Sequence, residues 1–408
     1  MSTELKHTRK TELRWIQAFV LSLPRTGSTL LRLILNTHPE ICCPGELRLG
    51  QLCEDLYHAL YFSAGQTKEG DETARAALSA ARSREIIDGF MSEYARAKGK
   101  SIWAEKTPAN IEHAARLYDT FPDAAYICLH RDLLDVLRSG WEMTKYGKLG
   151  YELWDHRSFL EYCLEQTRAL LEFERQHPDQ TLRVHYEDLV RNPSEEWGRL
   201  FSFLGVGWDQ SLVEAVFSTK HDEGPGDPKA EFASTLYTSS IGRGASVEVL
   251  SEIRRAPKNL QRALDELLVQ LGYRDTETAM LAAARTEEQP VGLLATPRQR
   301  VSDVNELFTH HFRTRLDHAR LGLADLRGAV KFVVRGTGGG TWTINLDSQS
   351  AVIHAGDRDA DCTITIKADD LLRLATGELN VGECYLQAKL RVAGNEALAI
   401  SLGRTLFA

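Results

Sequence analysis

The stretch AFVLSLPRTGSTLLRLIL, Ala18 to Leu35, constrains the fold more than any other part of the chain. Ala18 to Leu23 is a short, nearly unbroken apolar run, as expected of a strand buried on both faces. The residues after Thr29 have the spacing of an amphipathic helix. Between them lies the loop Pro24-Arg25-Thr26-Gly27-Ser28-Thr29. Gly27 lets the backbone turn without a Cβ clash. The amides of Ser28, Thr29 and Leu30 then stand at a helix start, where amides and helix dipole together favour an anion. Arg25 adds a planar fork that can hold an anionic oxygen. The nucleotide loop G-x-x-x-x-G-K-[ST] is not met, since there is one glycine and no lysine. A phosphate cradle of another kind is one reading; an ordinary capped turn is the other.

Further strand-like runs at Ser101–Ala104, Ala125–His130 and Leu182–Tyr186 are separated by helical segments, Asp71–Ala97 and Asp132–Thr144 among them. This is a series of βα units, so an α/β fold with a mostly parallel, P-loop-type sheet flanked by helices is expected. In such sheets ligands gather at the carboxyl ends of the strands. Arg25, Lys106, Arg131 and Tyr186 all fall there, after four different strands. Arg131 and Ser139 are eight positions apart, about 2.2 helical turns, so they lie on similar faces. With the first loop they suggest a ligand carrying two separate phosphates.

The net charge of −8 argues against a general nucleic-acid binder. No apolar run approaches the ~20 residues that span a bilayer, and the polar N-terminus has no apolar signal core, so a cytoplasmic location is expected. The seven cysteines show no zinc spacing and are expected to be reduced core residues. Trp103, Trp141, Trp154 and Trp197 are likewise read as core. No acidic cluster suits a metal, and none is expected.

After about residue 300 the texture changes. Residues 275–299 read as a linker between domains at 1–274 and 300–408. The second domain has a helix over Val301–Leu321 and strands at Val330–Gly336, Thr341–Leu346, Ser350–Ala355 and Cys362–Ala368, expected as a meander. Helices at Asp369–Thr376 and Glu396–Phe407 make it α+β.

PRTGSTLL with RDLLDVLRS resembles the PAPS-dependent sulfotransferases, whose donor is 3′-phosphoadenosine 5′-phosphosulfate and whose product is PAP. The resemblance covers residues 16 to 270. It implies that Arg25, Thr26, Gly27, Ser28, Thr29 and Leu30 hold the phosphosulfate end, and Arg131 and Ser139 the 3′-phosphate. The run His38-Pro39-Glu40 to Gly45-Glu46-Leu47-Arg48 is similar to the tyrosylprotein sulfotransferases and related bacterial enzymes. That branch implies Glu46 as catalytic base and Arg48 as a substrate contact, although it has two successive Glu where this chain has Pro44-Gly45-Glu46. The small-molecule branch uses a His after Lys-Thr, and Pro108 stands there instead.

With these roles, Glu46 would take the acceptor's proton. Lys106, with Arg25, would stabilise the charge growing on the departing phosphate. Tyr186 resembles the family's Tyr near the nucleotide. Gly224 to Lys229 and Ser239 to Gly244 read as a closing loop, with Arg243 and Gly244 at the 3′-phosphate. Residues 300–408 resemble a sterol carrier protein domain through GTWTINL, ADCTITIKADDLLRLATGELN and LRVAGNEALAISL. This domain either delivers a greasy acceptor or serves as a dimerisation or stability module. The expected partner is a small-molecule or lipidic hydroxyl, without integral membrane contact; a protein tyrosine is the alternative acceptor. A P-loop kinase would need a Lys-Ser/Thr pair and a Walker-B Asp. A lipid carrier with a dead nucleotide scaffold would have lost Arg25, Glu46 or Arg131.

Overall fold

The computed structural model describes residues 16–64, 71–146, 154–219, 221, 236, 238–279, 281, 303–318, 327–347, 350–376, 378–379 and 381–407. The expected closing segment Gly224–Lys229 lies outside the described residues, as does the linker stretch beyond residue 281. Residues 276–279, at the start of that stretch, are helical.

In chain order the first elements are β1 (Gln17–Ser22), α1 (Ser28–Thr37), β2 (Ile41–Cys42), α2 (Leu49–Ala64) and α3 (Glu72–Ala97). There follow β3 (Ile102–Lys106), a 3-10 turn at Pro108–His113, α4 (Ala114–Thr120), β4 (Ala125–His130), α5 (Leu133–Tyr146), α6 (His156–Gln176), β5 (Thr181–His185), α7 (Tyr186–Arg191), α8 (Pro193–Phe203) and α9 (Ser211–Ala215). Further along the chain come α10 (Val247–Arg255) and α11 (Lys258–Gln270). By contacts the chain groups into two compact units. One holds the residues up to Arg131, those of Glu165–Glu214, and His221. The other holds Asp132–Leu164, Ala215–Lys220 and the chain from Gly224 onward.

The first unit contains a five-stranded parallel sheet in the order β2-β3-β1-β4-β5. Every residue of β1, β3 and β4 is buried, which is why their sequences are apolar runs instead of alternating patterns. Strand β5 lies at an edge and is partly exposed, so TLRVH alternates. Phe19 anchors the core, edge-on to Trp103 at 5.4 Å and stacked on Tyr126 at 5.6 Å between ring centroids. Helix α3 begins at Asp71, whose carboxylate accepts from the Thr73 N–H at 2.9 Å.

In the second unit α10 packs on α5. The tail has α12 (Val304–Glu306), a π-helical run at Leu307–Phe312, α13 (Arg313–His318), β6 (Gly328–Arg335), β7 (Gly340–Asp347), β8 (Ser350–Ala355), β9 (Cys362–Lys367), α14 (Ala368–Ala375), α15 (Val381–Leu386), β10 (Leu390–Gly394) and α16 (Glu396–Leu406). Its sheet runs β10-β9-β6-β7-β8. The expected meander holds for β6, β7 and β8, but β9 crosses the sheet and pairs parallel with β6. The crossing sets the buried face of β9 beside that of β6 in one core, where Phe332, Ile364 and Ile366 meet Phe308, Phe312 and Leu402. Trp342 stacks on Phe308 with centroids 4.5 Å apart. A narrow apolar pocket, with room for little more than a water molecule, is lined by Phe332, Ile364, Leu371, Val392, Gly403 and Phe407 among others. All seven cysteines are buried and none is in a disulfide. Burial pushes the thiols of Cys43 and Cys53 up to about 12.

Candidate active site

The glycine loop is tightly held. Gly27 is the N-cap of α1 with φ 91°, in the left-handed region. Arg25, at φ 68°, is also left-handed, and only Arg48 and Ala388 share this among the described non-glycine residues. Such backbone costs energy and persists where the surroundings enforce it. The Thr26 hydroxyl donates to the Leu23 carbonyl at 2.7 Å. Tyr186, the first residue after β5, lays its ring against the loop: a Cβ on Gly27 would stand 2.3 Å from its Cδ2. The Arg131 guanidinium lies over the same ring, 4.4 Å from its centroid, and Nη1 donates to the Arg25 carbonyl at 3.2 Å. The tips of β1, β4 and β5 thus form one packed cluster. Ser28, Thr29 and Leu30 are buried in the first turn of α1, and no acidic residue stands there to repel an anion.

Next to β1, β3 ends in Glu105-Lys106, two charged residues with no exposed surface. Lys106 Nζ meets Glu46 Oε1 at 2.5 Å, and the Glu46 side chain is 25% exposed. A buried ammonium thus faces a carboxylate that solvent or a ligand can reach. Glu105 organises the segment after Glu46. Its Oε1 accepts from the Leu47 N–H at 3.0 Å and the Thr107 hydroxyl at 2.6 Å, and Oε2 accepts from Asn110. Thr107 Oγ1 accepts from the Arg48 N–H, and Asn110 Oδ1 from the Gly50 N–H. Arg48, at φ 57°, is therefore fixed at its backbone while its side chain is exposed. The sequence reading missed Glu105; adjacent charges closing an apolar strand, IWAEK, were the available signal.

Behind Arg131, His130 Nε2 and Glu174 Oε1 are 2.6 Å apart, and Arg183 Nε donates to the other Glu174 oxygen at 2.7 Å. Burial works to raise the Glu174 pKa, but the bonds from His130 and Arg183 prevail and lower it.

Ser139, Arg243 and Gly244 belong to the second unit, and Ser139 is buried on α5. Arg243 is exposed, and Gly244 is seated against α5. Among the described residues no group of three or more His, Cys, Asp or Glu could hold a metal.

A glycine loop between strand and helix, packed under an arginine and a tyrosine from neighbouring strand tips, stands at the carboxyl ends of a parallel α/β sheet. Residues 17–210 match the sulfotransferase family, and residues 309–407 the SCP-2 sterol transfer family. The chain therefore joins a sulfotransferase domain to a sterol-carrier-type domain. It is similar to protein-tyrosine sulfotransferase A of Caenorhabditis elegans, 27% identical over 202 residues, 48% of this chain and 51% of that protein. The tail is similar to sterol carrier protein 2 of Rattus norvegicus, 39% identical over 79 residues, 18% of this chain and 14% of that protein. A solved sulfotransferase domain from the curacin biosynthetic pathway is 23% identical, with a TM-score of 0.47, over 65% of this chain and 99% of that chain. The chain thus spans about half of the nematode protein and a seventh of the rat one.

Proposed function

We propose that this chain transfers a sulfuryl group from PAPS to a hydroxyl of a small-molecule or lipidic acceptor, with Glu46 as general base. Residues 1–274 would be the transferase domain, 275–299 the linker and 300–408 the carrier-type domain. The observation that carries the reading is the 2.5 Å pairing of partly exposed Glu46 with fully buried Lys106, on the strand beside the glycine loop. Acceptor activation and charge stabilisation need such a base and cation side by side.

The residues suit the donor. The loop at Gly27 leaves no room for a Cβ, and the start of α1 has neither a side-chain cap nor an acidic neighbour. Arg25 to Leu30 would hold the phosphosulfate end, bordered by Tyr186. Arg131, Ser139, Arg243 and Gly244 would serve the 3′-phosphate, and Arg48 the acceptor. The donor supplies a sulfuryl group on a phosphate leaving group: a bond forms from acceptor oxygen to sulfur, and the sulfur–oxygen bond to phosphate breaks. Glu46 receives the hydroxyl proton, and Lys106 offsets the negative charge left behind.

Glu46→Ala is expected to reduce transfer by about 10²–10⁴-fold while PAP still raises the thermal unfolding midpoint. Retained transfer would refute the base, and no PAP-dependent stabilisation of the wild type would refute the donor. The attached SCP-2-type domain favours a greasy metabolite as acceptor. Mass spectrometry of an extract incubated with PAPS should find the added SO₃ on a metabolite. Finding it only on tyrosine peptides would favour the protein-acceptor reading, which the names of the nematode and other relatives support.

A further inference from the structure

Asp135 takes no part in the chemistry above, yet its side chain is 1% exposed and one distant turn uses both its oxygens. Oδ2 accepts from the Gly242 N–H at 2.8 Å, and Oδ1 from the Gly244 N–H at 2.5 Å. Gly242 has φ 78°, where a side chain is disfavoured. Gly244 is pressed so closely on α5 that a Cβ would stand 2.0 Å from the Leu134 carbonyl carbon and 2.3 Å from the Asp135 N. Between the two glycines lies Arg243, exposed.

We infer that Asp135 is a positioning residue for Arg243, and that it thereby sets selectivity for a nucleotide bearing a 3′-phosphate. This rests on the donor reading above. A turn with two glycines is costly to order. A carboxylate accepting from both amides holds it in one conformation, since charge-assisted hydrogen bonds are stronger and more directional than neutral ones. With the backbone fixed, an anion that reaches Arg243 meets a turn already ordered, which lowers the entropic cost of that contact. The same two amides satisfy the carboxylate's charge, so Asp135 can lie near an anion-binding turn at reduced repulsion.

The test is calorimetric titration of the full chain with PAP and, separately, with adenosine 5′-phosphate, which lacks the 3′-phosphate. In Asp135→Asn one carboxylate oxygen becomes an NH₂ that faces an N–H donor. PAP affinity should fall about tenfold or more, the scale of one lost charge-assisted hydrogen bond, while affinity for the 5′-phosphate changes little. Gly244→Ala displaces the turn from the other side with Asp135 intact, and should lose the same preference. If both variants are folded by circular dichroism and keep the wild-type ratio of the two affinities, the latch is refuted and the donor reading stands. If either variant fails to fold, the other decides on the same ratio. A wild type that binds both nucleotides equally overturns the donor reading and the latch with it.

Discussion

Glu105 sits at the end of an apolar strand with no exposed surface, beside an equally buried lysine. Burial raises its pKa, and the bonds from Thr107, Leu47 N–H and Asn110 oppose the rise. Every one of those partners donates, so the pocket is built for the ionised carboxylate. In Glu105→Gln the new NH₂ would face a donor, either Asn110 or the pair formed by Leu47 and Thr107. Turning the Asn110 amide to accommodate it would strip Gly50 of its acceptor. A buried donor left unsatisfied costs about 1–3 kcal/mol. Guanidinium unfolding of the variant should show a loss of that size, and an unchanged midpoint would mean that the network does not hold the Glu46 segment. The two strained arginines follow the same logic: Arg25 and Arg48 both keep left-handed backbone, and in each case a neighbouring side chain ties the main chain, Arg131 at the Arg25 carbonyl and Thr107 at the Arg48 N–H.

At the scale of elements, β1, β3 and β4, which carry most of the candidate site, were readable because they are buried on both faces. AYICLH was placed residue for residue, and AFVLSL within one. The turns could be read because Gly27 must break the pattern. Short or bridging pieces could not. Strand β2 is two residues, Ile41–Cys42, and offers no period to detect. Strand β10 alternates weakly, LRVAG, because it lies at an edge. The crossing of β9 to β6 depends on pairing partners far apart in sequence. Of the candidate site, Glu46 and Lys106 stood out by residue type, and Glu105 left only the mark of adjacent charges closing an apolar strand, whereas Asp135, which acts on distant backbone amides, left none. His38 shows how such ties work. Its Nε2 and the Gly207 carbonyl are 2.8 Å apart, and its Nδ1 accepts from the Glu40 N–H at 3.1 Å. This pattern needs the neutral ring, with its proton on Nε2. Burial, the largest cause, holds its pKa below the ordinary 6.5. A depressed histidine stabilises fully above its unfolded pKa, and that contribution is lost as pH falls through the folded value, because the unfolded chain takes up the proton more readily. The wild-type unfolding midpoint should therefore drop between about pH 7.5 and about pH 5.5. His38→Leu should start lower at the upper pH, by about 1–3 kcal/mol, and drop less on acidification. Parallel curves for the two proteins would contradict this role.

For the whole molecule, the question is what a sterol-carrier-type fold contributes to a sulfotransferase-family chain. Its pocket is lined only by apolar side chains and Gly403, so any occupant would be selected by length and shape, with no charged group inside to recognise a head group. The pocket is also narrow, and an alkyl chain could enter only if lining residues such as Leu371 and Phe407 moved apart. Burial of the chain would have to offset that rearrangement, at about 0.8 kcal/mol per CH₂. Gly403 lies in α16, where leucine has the better helix propensity, so Gly403→Leu should fill the pocket without weakening the helix. Overpacking typically costs about 1–3 kcal/mol. Titrated with a fluorescent long-chain fatty acid, the wild type should bind and the variant should bind at least about tenfold more weakly. PAP should stabilise both equally, because the residues proposed for the nucleotide lie elsewhere in the sequence. Equal probe binding by the two proteins would exclude this pocket as the ligand site. A wild type that binds no fatty acid would remove the support that this pocket lends to a greasy acceptor in the proposed reaction.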